Sequence, residues 1–368
     1  LKGKIVMFEK ATPKETTIKP DGTRYTEEEL EAFANPPQVN NNRQGGNANA
    51  ELRNRFMRMR ELRNKINEFL VAENVGLILT RTRGTHGTFF TSNGAPYAAD
   101  AKPASPEIEM STEDYLRILR LVKSGVKVEL EADIKTKFQD KDLQGYNVLA
   151  EIPGTDKKLK DEVVIIGAHY DSWHSSTGAT DNAAGSAVMM EAMRIIKTLG
   201  LKPKRTIRIA LWSSEEQGLF GSRGYVASHY GNTKQLKPAQ EKVSAYYNLD
   251  NGTGRIRGVY LQGNDAVRPI FAEWLEPFKD LEATTLTIRN TGGTDHLAFG
   301  AVGIPGFQFI QDGIEYNTRT HHSNQDSYDR LIPADLQQAA TIIAAFAFNT
   351  AQLDQKLPRK DLPKAQAN

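Results

Sequence analysis

Short apolar runs recur through the second half of the chain, each bounded by polar or glycine-containing stretches. They predict strands at YNVLAEI (146–152), VVIIGA (163–168), TIRIALW (206–212) and AYYNLD (245–250). Between them the hydrophobic period becomes helical: one helix runs from about Asn182 to Leu199 and is closed by Gly200, and a short one follows Glu216. A last helix, Pro333 to about Leu353, carries Leu336, Ala340, Ile343, Ala347 and Thr350 down one side. This alternation predicts an α/β fold, a mainly parallel mixed sheet covered by helices. In such sheets ligands bind beyond the carboxyl ends of the strands.

The first part of the chain reads differently. A strand at Lys4 to Phe8 precedes a polar stretch with Pro36, Pro37 and NNNRQGGNANA (40–50), which predicts a flexible loop over 35–50. From Glu51 to Asn74, Leu52, Phe56, Met59, Leu62, Ile66, Phe69 and Leu70 recur at helical spacing. That pattern predicts one buried stripe, with Arg53, Arg60, Arg63 and Lys65 on a solvated face. The strand VGLILT (75–80), a helix over Thr112 to Lys123 and the segment VKVELEADI (126–134) complete a small α+β domain without a catalytic constellation. The expected division is a small domain at 1–137, a catalytic domain at 138–353 and a frayed tail at 354–368.

His169, Asp181, Glu216, Asp250 and His322 each fall at the end of a predicted strand or in the loop beyond it. Taken singly, each has an ordinary reading: a hydrogen-bonded histidine, a helix-capping aspartate, a solvated turn. Five residues of these types in five such contexts instead suit a catalytic metal centre, because zinc takes imidazole nitrogen and carboxylate oxygen. The sequence has no cysteine, so a thiolate site and disulfides are excluded. Asp171, two residues beyond His169, is placed to hold the second ring nitrogen of that histidine. Asp181 has two oxygens with which to bridge two ions. Glu215 and Glu216 diverge in direction at a strand end, so one can bind metal while the other faces the reacting water. For the pair His321 and His322, the spacing to Asp326 favours His322 as the ligand.

The balance of 47 basic and 45 acidic residues leaves a formal charge of +2, which gives no field to attract nucleic acid or anionic lipid. No apolar run is long enough to span a bilayer. The chain starts at Leu1 inside a predicted strand, and the expectation is that something upstream was removed. The expected location is secreted or periplasmic, with a homodimer left open.

GAHYDSW, TGATDNAAG, LWSSEEQGLFGS, NLDNGTG, GGTDH and HHSNQD, in that order, resemble the co-catalytic two-zinc exopeptidase family. Its members include zinc aminopeptidases and carboxypeptidase Q, and the DSW after the histidine, the PKRTIRIALW run and the doubled histidine are closest to the latter. The resemblance covers about 138–350 and implies two Zn2+ per chain. It places His169 and Asp250 on separate ions, has Asp181 bridging, and uses Glu216 and His322 to complete the shells. It makes Glu215 the general base for hydrolysis of a peptide or dipeptide by metal-activated water, with His321 polarising the scissile carbonyl where several relatives carry tyrosine. The LKGKIV opening and NVGLILT strand are similar to a protease-associated cap domain. In relatives a further segment before the cap completes the catalytic domain, and it is expected to be missing here. Asp295, in the NTGGTDH loop (290–296), is the candidate for meeting a substrate ammonium, with capping of the DHLAFG segment as its other reading. Two other functions stay open: a glutaminyl-cyclase-like acyltransferase, which needs one zinc, and an inactive receptor-like binding protein, which would lack metal residues.

Overall fold

The computed structural model describes residues 1–8, 18–36, 45–91, 94, 96, 98, 100–139 and 141–362. The chain divides into two units, one made of Leu1–Lys19 with Pro37–Lys137 and the other of Pro20–Pro36 with Phe138–Asn368. One division falls after residue 137. The stretch Pro20–Pro36, expected in the small domain, belongs instead to the larger unit. It contains helix α1 (Glu27–Ala34), opened by a capping box in which the Thr26 side chain and Glu29 serve each other's backbone N–H groups. Arg24, just before it, reaches two buried carboxylates of the larger unit, Asp312 at 2.8 Å and Asp335 at 2.7 Å. Those pairings are between residues far apart in sequence, which is why local composition did not predict them.

In the smaller unit, strands β1 (Ile5–Met7), β2 (Leu77–Arg81) and β3 (Glu107–Met110) form a parallel sheet with β2 in the centre. Helices α2 (Gly45–Ala72) and α3 (Thr112–Lys123) accompany it. Residues 45–50, expected in a flexible loop, are helical, while 37–44 lie outside the described residues. The stripe predicted along α2 is not buried throughout: Met59 is 60% exposed, Leu62 52% and Phe69 55%. Among the described side chains, its last turns pack, through Leu70 and partly buried Ile66 against Val75 and Ile78. The sheet is too short to cover the rest of a 28-residue helix. Leu52 and Phe56 lie outside the residues whose side chains are described.

The larger unit holds a seven-stranded mixed sheet. Its strands are β4 (Val148–Ile152), β5 (Val163–His169), β6 (Thr206–Trp212), β9 (Val243–Asn248), β10 (Ile256–Tyr260), β11 (Thr285–Thr287) and β12 (Gly306–Gln311), in the spatial order β11-β10-β12-β9-β5-β6-β4. The two-residue strands β7 (Gly231–Asn232) and β8 (Gln235–Leu236) form a separate ribbon. The inner strands β12, β9, β5 and β6 are parallel, whereas β4 pairs antiparallel with β6 and β10 with β12. Burial on both faces explains the nearly continuous apolar runs of β5 and β9. On one face, Val164, Ile166 and Ala168 of β5 join a core with residues of α4 (Ala184–Thr198), α6 (Arg268–Leu275) and α8 (Pro333–Gln352). On the other, Ile165 joins Trp212 and Tyr246 with residues of α5 (Phe220–His229) and α7 (His296–Gly300). The start of the tail is packed, correcting the expectation of fraying: Leu357 is buried, and Arg359 donates to the carbonyls of Gln240 and Val243. An apolar residue and a guanidinium with carbonyl partners outweigh the polar composition around them.

Candidate metal and catalytic site

The parallel strands β5, β6, β9 and β12 run the same way, so the residues just past their carboxyl ends converge. His169 is the last residue of β5, Glu215 and Glu216 follow β6, Asp250 follows β9, and His321 and His322 lie on the loop after β12. Asp181 comes from the turn Ala179–Ala183 before α4. That turn is closed by backbone geometry rather than by the Asp181 side chain. Gly178 has φ +67, and a Cβ there would meet Ser172 Cβ at 2.3 Å, so glycine is required. The Asp326 carboxylate accepts the N–H groups of Thr180 at 2.6 Å and Asp181 at 3.0 Å.

Asp181 is the shared member of two convergent donor sets, one with His169 and Glu216 and one with His321 and His322. The shorter contacts divide more sharply. His169 Nε2 lies 3.3 Å from Asp181 Oδ1 and 3.2 Å from Asp250 Oδ1. His322 Nε2 lies 3.3 Å from Asp181 Oδ2 and 2.9 Å from Glu216 Oε2. The first grouping reaches across from His169 to Glu216 only at the wider spacing, so the close contacts better define which groups could share an ion. They put His169 and Asp250 on the same side of Asp181. The expected assignment of those two residues to separate ions therefore does not match the contacts, because the His169 ring presents Nε2 to both Asp250 and Asp181. His321 is more distant, with Nε2 at 3.9 Å from Asp181 Oδ2, and its side chain is 29% exposed.

This donor set fits divalent cations. Asp181 Oδ2 and Glu216 Oε1 are buried with no hydrogen-bond partner among the described residues, although His322 stands close to both carboxylates. Buried carboxylate oxygens are costly to leave unpaired, and a shared cation would satisfy them. The electrostatics agree. Burial, followed by the nearby Asp250 charge, pushes the Glu215 carboxyl up to about 9. Burial likewise raises Glu216 against the pull of His322. Burial opposes a charge on His169, but Asp250, Asp171 and Asp181 outweigh it and raise the ring well above 6.5. Burial opposes ionisation of Asp250 as well, and His169 overcomes it.

Asp171 sits where expected, beside the second ring nitrogen of His169, and has a further job. The His169 Nδ1 contact is to its backbone carbonyl, at 3.0 Å, while its carboxylate is 3.6 Å away. That carboxylate also accepts the backbone N–H groups of Glu215 at 3.1 Å and Glu216 at 3.2 Å, fixing the turn that aims the two glutamates. Asp295 is fully buried, and neither oxygen has a hydrogen-bond partner among the described residues. Burial pushes its carboxyl up to about 7. A carboxylate with no exposed surface is not on a wall that a substrate ammonium meets, which corrects the expected role. Nor does its side chain cap α7.

Sequence reasoning missed three neighbours of the site. Tyr316 is buried and stacks on His321 with ring centroids 4.6 Å apart. Trp173 lies 5.6 Å from the His322 ring. Asp326 was noticed only for its spacing and proves to hold the Asp181 turn. The DSW and HxxxD patterns signalled the last two, whereas nothing local distinguished Tyr316.

Residues 147–347 match the model of Peptidase family M28. The chain belongs to peptidase family M28. The M28 match contains every site residue above, from His169 to His322. Carboxypeptidase Q of Mus musculus is 32% identical over 260 residues, 71% of this chain and 53% of that protein. Aminopeptidase YwaD of Bacillus subtilis is 29% identical over 209 residues, 53% of this chain and 42% of that one. This M28 chain thus spans about half the length of the curated relatives it matches. The crystal structure of a peptidase M28 precursor from Shewanella amazonensis aligns with a TM-score of 0.63 at 29% identity, covering 79% of this chain and 63% of that one. A zinc aminopeptidase from Bacillus subtilis aligns at 0.53 and 21% identity, covering 79% and 69%, which shows a shared fold. The seven-stranded mixed sheet is accordingly an M28 fold. No helix among the described residues is long and apolar enough to cross a membrane.

Proposed function

We propose that the chain is a zinc-dependent exopeptidase that hydrolyses the bond next to a peptide terminus. The observation that carries this reading is Asp181, with one oxygen facing His169 and the other His322, beside the buried carboxyl of Glu215. His169, Asp250 and Asp181 would hold one zinc, and Asp181, Glu216 and His322 the other. Bound zinc supplies Lewis acidity that lowers the pKa of water towards ~7 and polarises a carbonyl. Glu215 takes the proton of the attacking water and returns it to the leaving amine. Its turn is held by Asp171, so the carboxyl needs little reorganisation to act. His321, partly exposed and steadied by Tyr316, donates towards the scissile carbonyl oxygen. The small unit is read as a protease-associated-like cap.

The direct test incubates full-length protein, purified without chelator, with free dipeptides, dipeptides blocked at either end, and a longer peptide blocked at both. Cleavage should depend on at least one free terminus, and metal analysis should approach two zinc per chain. Ready cleavage of the doubly blocked peptide would overturn the exopeptidase reading. A stable one-to-one zinc ratio under zinc excess would point to the one-zinc cyclase chemistry instead.

Zinc affinity should also depend on pH with a definite sign. His169 must be neutral to ligate, and its folded-state pKa is raised above 6.5, so protons compete with zinc from above the usual histidine range. Affinity should fall as pH falls through that window, and zinc binding near neutrality should release protons. Titration calorimetry in buffers of different ionisation enthalpy measures both. Uptake of protons on binding would contradict the assignment.

A further inference from the structure

The doubled histidine lies on a loop that needs outside support. After β12, Ile314 (φ +43) and His322 itself (φ +59) both adopt the left-handed region, which non-glycine residues enter rarely and keep only where their surroundings hold them. Between them is a single wide turn, Tyr316–Thr320. Much of that hold comes from the segment that precedes α1. Thr23 exchanges two backbone hydrogen bonds with Ile314, at 3.2 and 2.9 Å. The Asp21 carbonyl accepts the Thr318 hydroxyl at 2.8 Å. The Asp21 carboxylate pairs with Arg319 through Nε at 3.0 Å and through Nη2. At the start of the loop, fully buried Asp312 accepts Arg24 and the backbone N–H of Tyr25.

We propose that residues Asp21 to Tyr25 form a brace that positions His321 and His322, with Asp21 as its chief positioning residue. The brace acts by fixing the turn Tyr316–Thr320, which ends directly before His321. Other contacts share the loop: Arg257 reaches Asp312 at 3.0 Å and Arg330 reaches Glu315 at 2.7 Å near its beginning, Thr180 Oγ1 donates to Thr320 Oγ1 at 2.8 Å, and the Ser323 hydroxyl donates to the Arg319 carbonyl. In sequence the segment Pro20–Pro36, which carries the brace and α1, is flanked on both sides by residues of the smaller unit.

The consequence for metal binding rests on the zinc exopeptidase reading, and the experiment separates the two. Asp21→Ala and Asp21→Glu are made in the full chain and compared by hydrogen exchange, chelator competition for zinc, and steady-state kinetics. In Asp21→Ala, amides of 316–322 should exchange faster while those of α8 keep their protection. The weaker of the zinc affinities should drop about tenfold, the lower end of what loss of an outer support costs. Turnover should fall with KM little changed, and Asp21→Glu should recover part of each loss. Unchanged exchange over 316–322 and unchanged zinc affinity in a folded Asp21→Ala would overturn the brace. Should that variant fail to fold, Thr318→Val with Arg319→Met removes both side-chain partners of Asp21 on the turn, and wild-type exchange over 316–322 there overturns the brace equally. If the wild-type chain takes up no zinc, the exopeptidase reading fails, while the exchange data still decide the brace.

Discussion

Glu215→Gln should leave both zinc sites loaded and lower turnover by about 10²–10⁴-fold, the range that a positioned general base contributes. The substitution keeps the shape of the side chain and the backbone N–H that Asp171 accepts, so the turn after β6 stays in place. An amide cannot take a proton from water. The raised pKa of Glu215, about 9 in surroundings rich in carboxylates, adds a condition: positive charge nearby is needed to ionise the group at neutral pH. Two dications would supply it, which couples the base to the metals in one direction. Glu216→Gln is the matched control. Its Oε2 lies 2.9 Å from His322 Nε2, so its loss should weaken zinc on that side and reduce turnover through occupancy. Excess zinc should then rescue Glu216→Gln but not Glu215→Gln. Near-normal turnover in the latter at full zinc loading would remove Glu215 from the role of base.

What could be read from sequence follows from the range of the forces involved. Strands β5, β6 and β9 were legible because both of their faces are buried, and that demand writes itself into consecutive residues. Site residues were legible for a related reason: packing alone seldom places an imidazole or a carboxylate directly after such an apolar run. The failures concern partners distant in the chain. Whether a helical stripe is buried depends on how much sheet lies beneath it, and among the described side chains of α2 the part near Leu70 finds it. The nearness of Asp171 to His169 is legible in the sequence, but the bonds of its carboxylate to the amides at 215 and 216 are not. The glycines before Asp295 suggest an open approach, yet its carboxyl turns into the interior, a direction that local sequence does not encode. Arg24 has no signature at all until Asp312 and Asp335 are seen beside it.

The same distinction makes Asp181→Asn informative about the metals rather than about the fold. The turn around residue 181 is held by atoms that survive the change. Asp326 accepts the two backbone N–H groups, Asn182 Nδ2 donates to the Leu249 carbonyl at 2.9 Å, and Asn182 Oδ1 accepts Gly185 N–H at 3.0 Å. What disappears is the negative charge and one of the two oxygens that face His169 and His322. A neutral amide has a single good donor oxygen and cannot offset the repulsion between two dications, so both sites should suffer together. Zinc binding should weaken by more than the ~10–100-fold that losing an outer-shell partner costs. Activity should vanish with it, while thermal unfolding of the metal-free protein changes little. Glu216→Gln or His322→Ala, by contrast, should leave the zinc held by His169 and Asp250 close to its original affinity. Metal analysis and calorimetric titration of the three variants read this pattern directly. Two tightly bound zinc ions in Asp181→Asn would mean that the ions are held independently, and the bridging role would have to be given up.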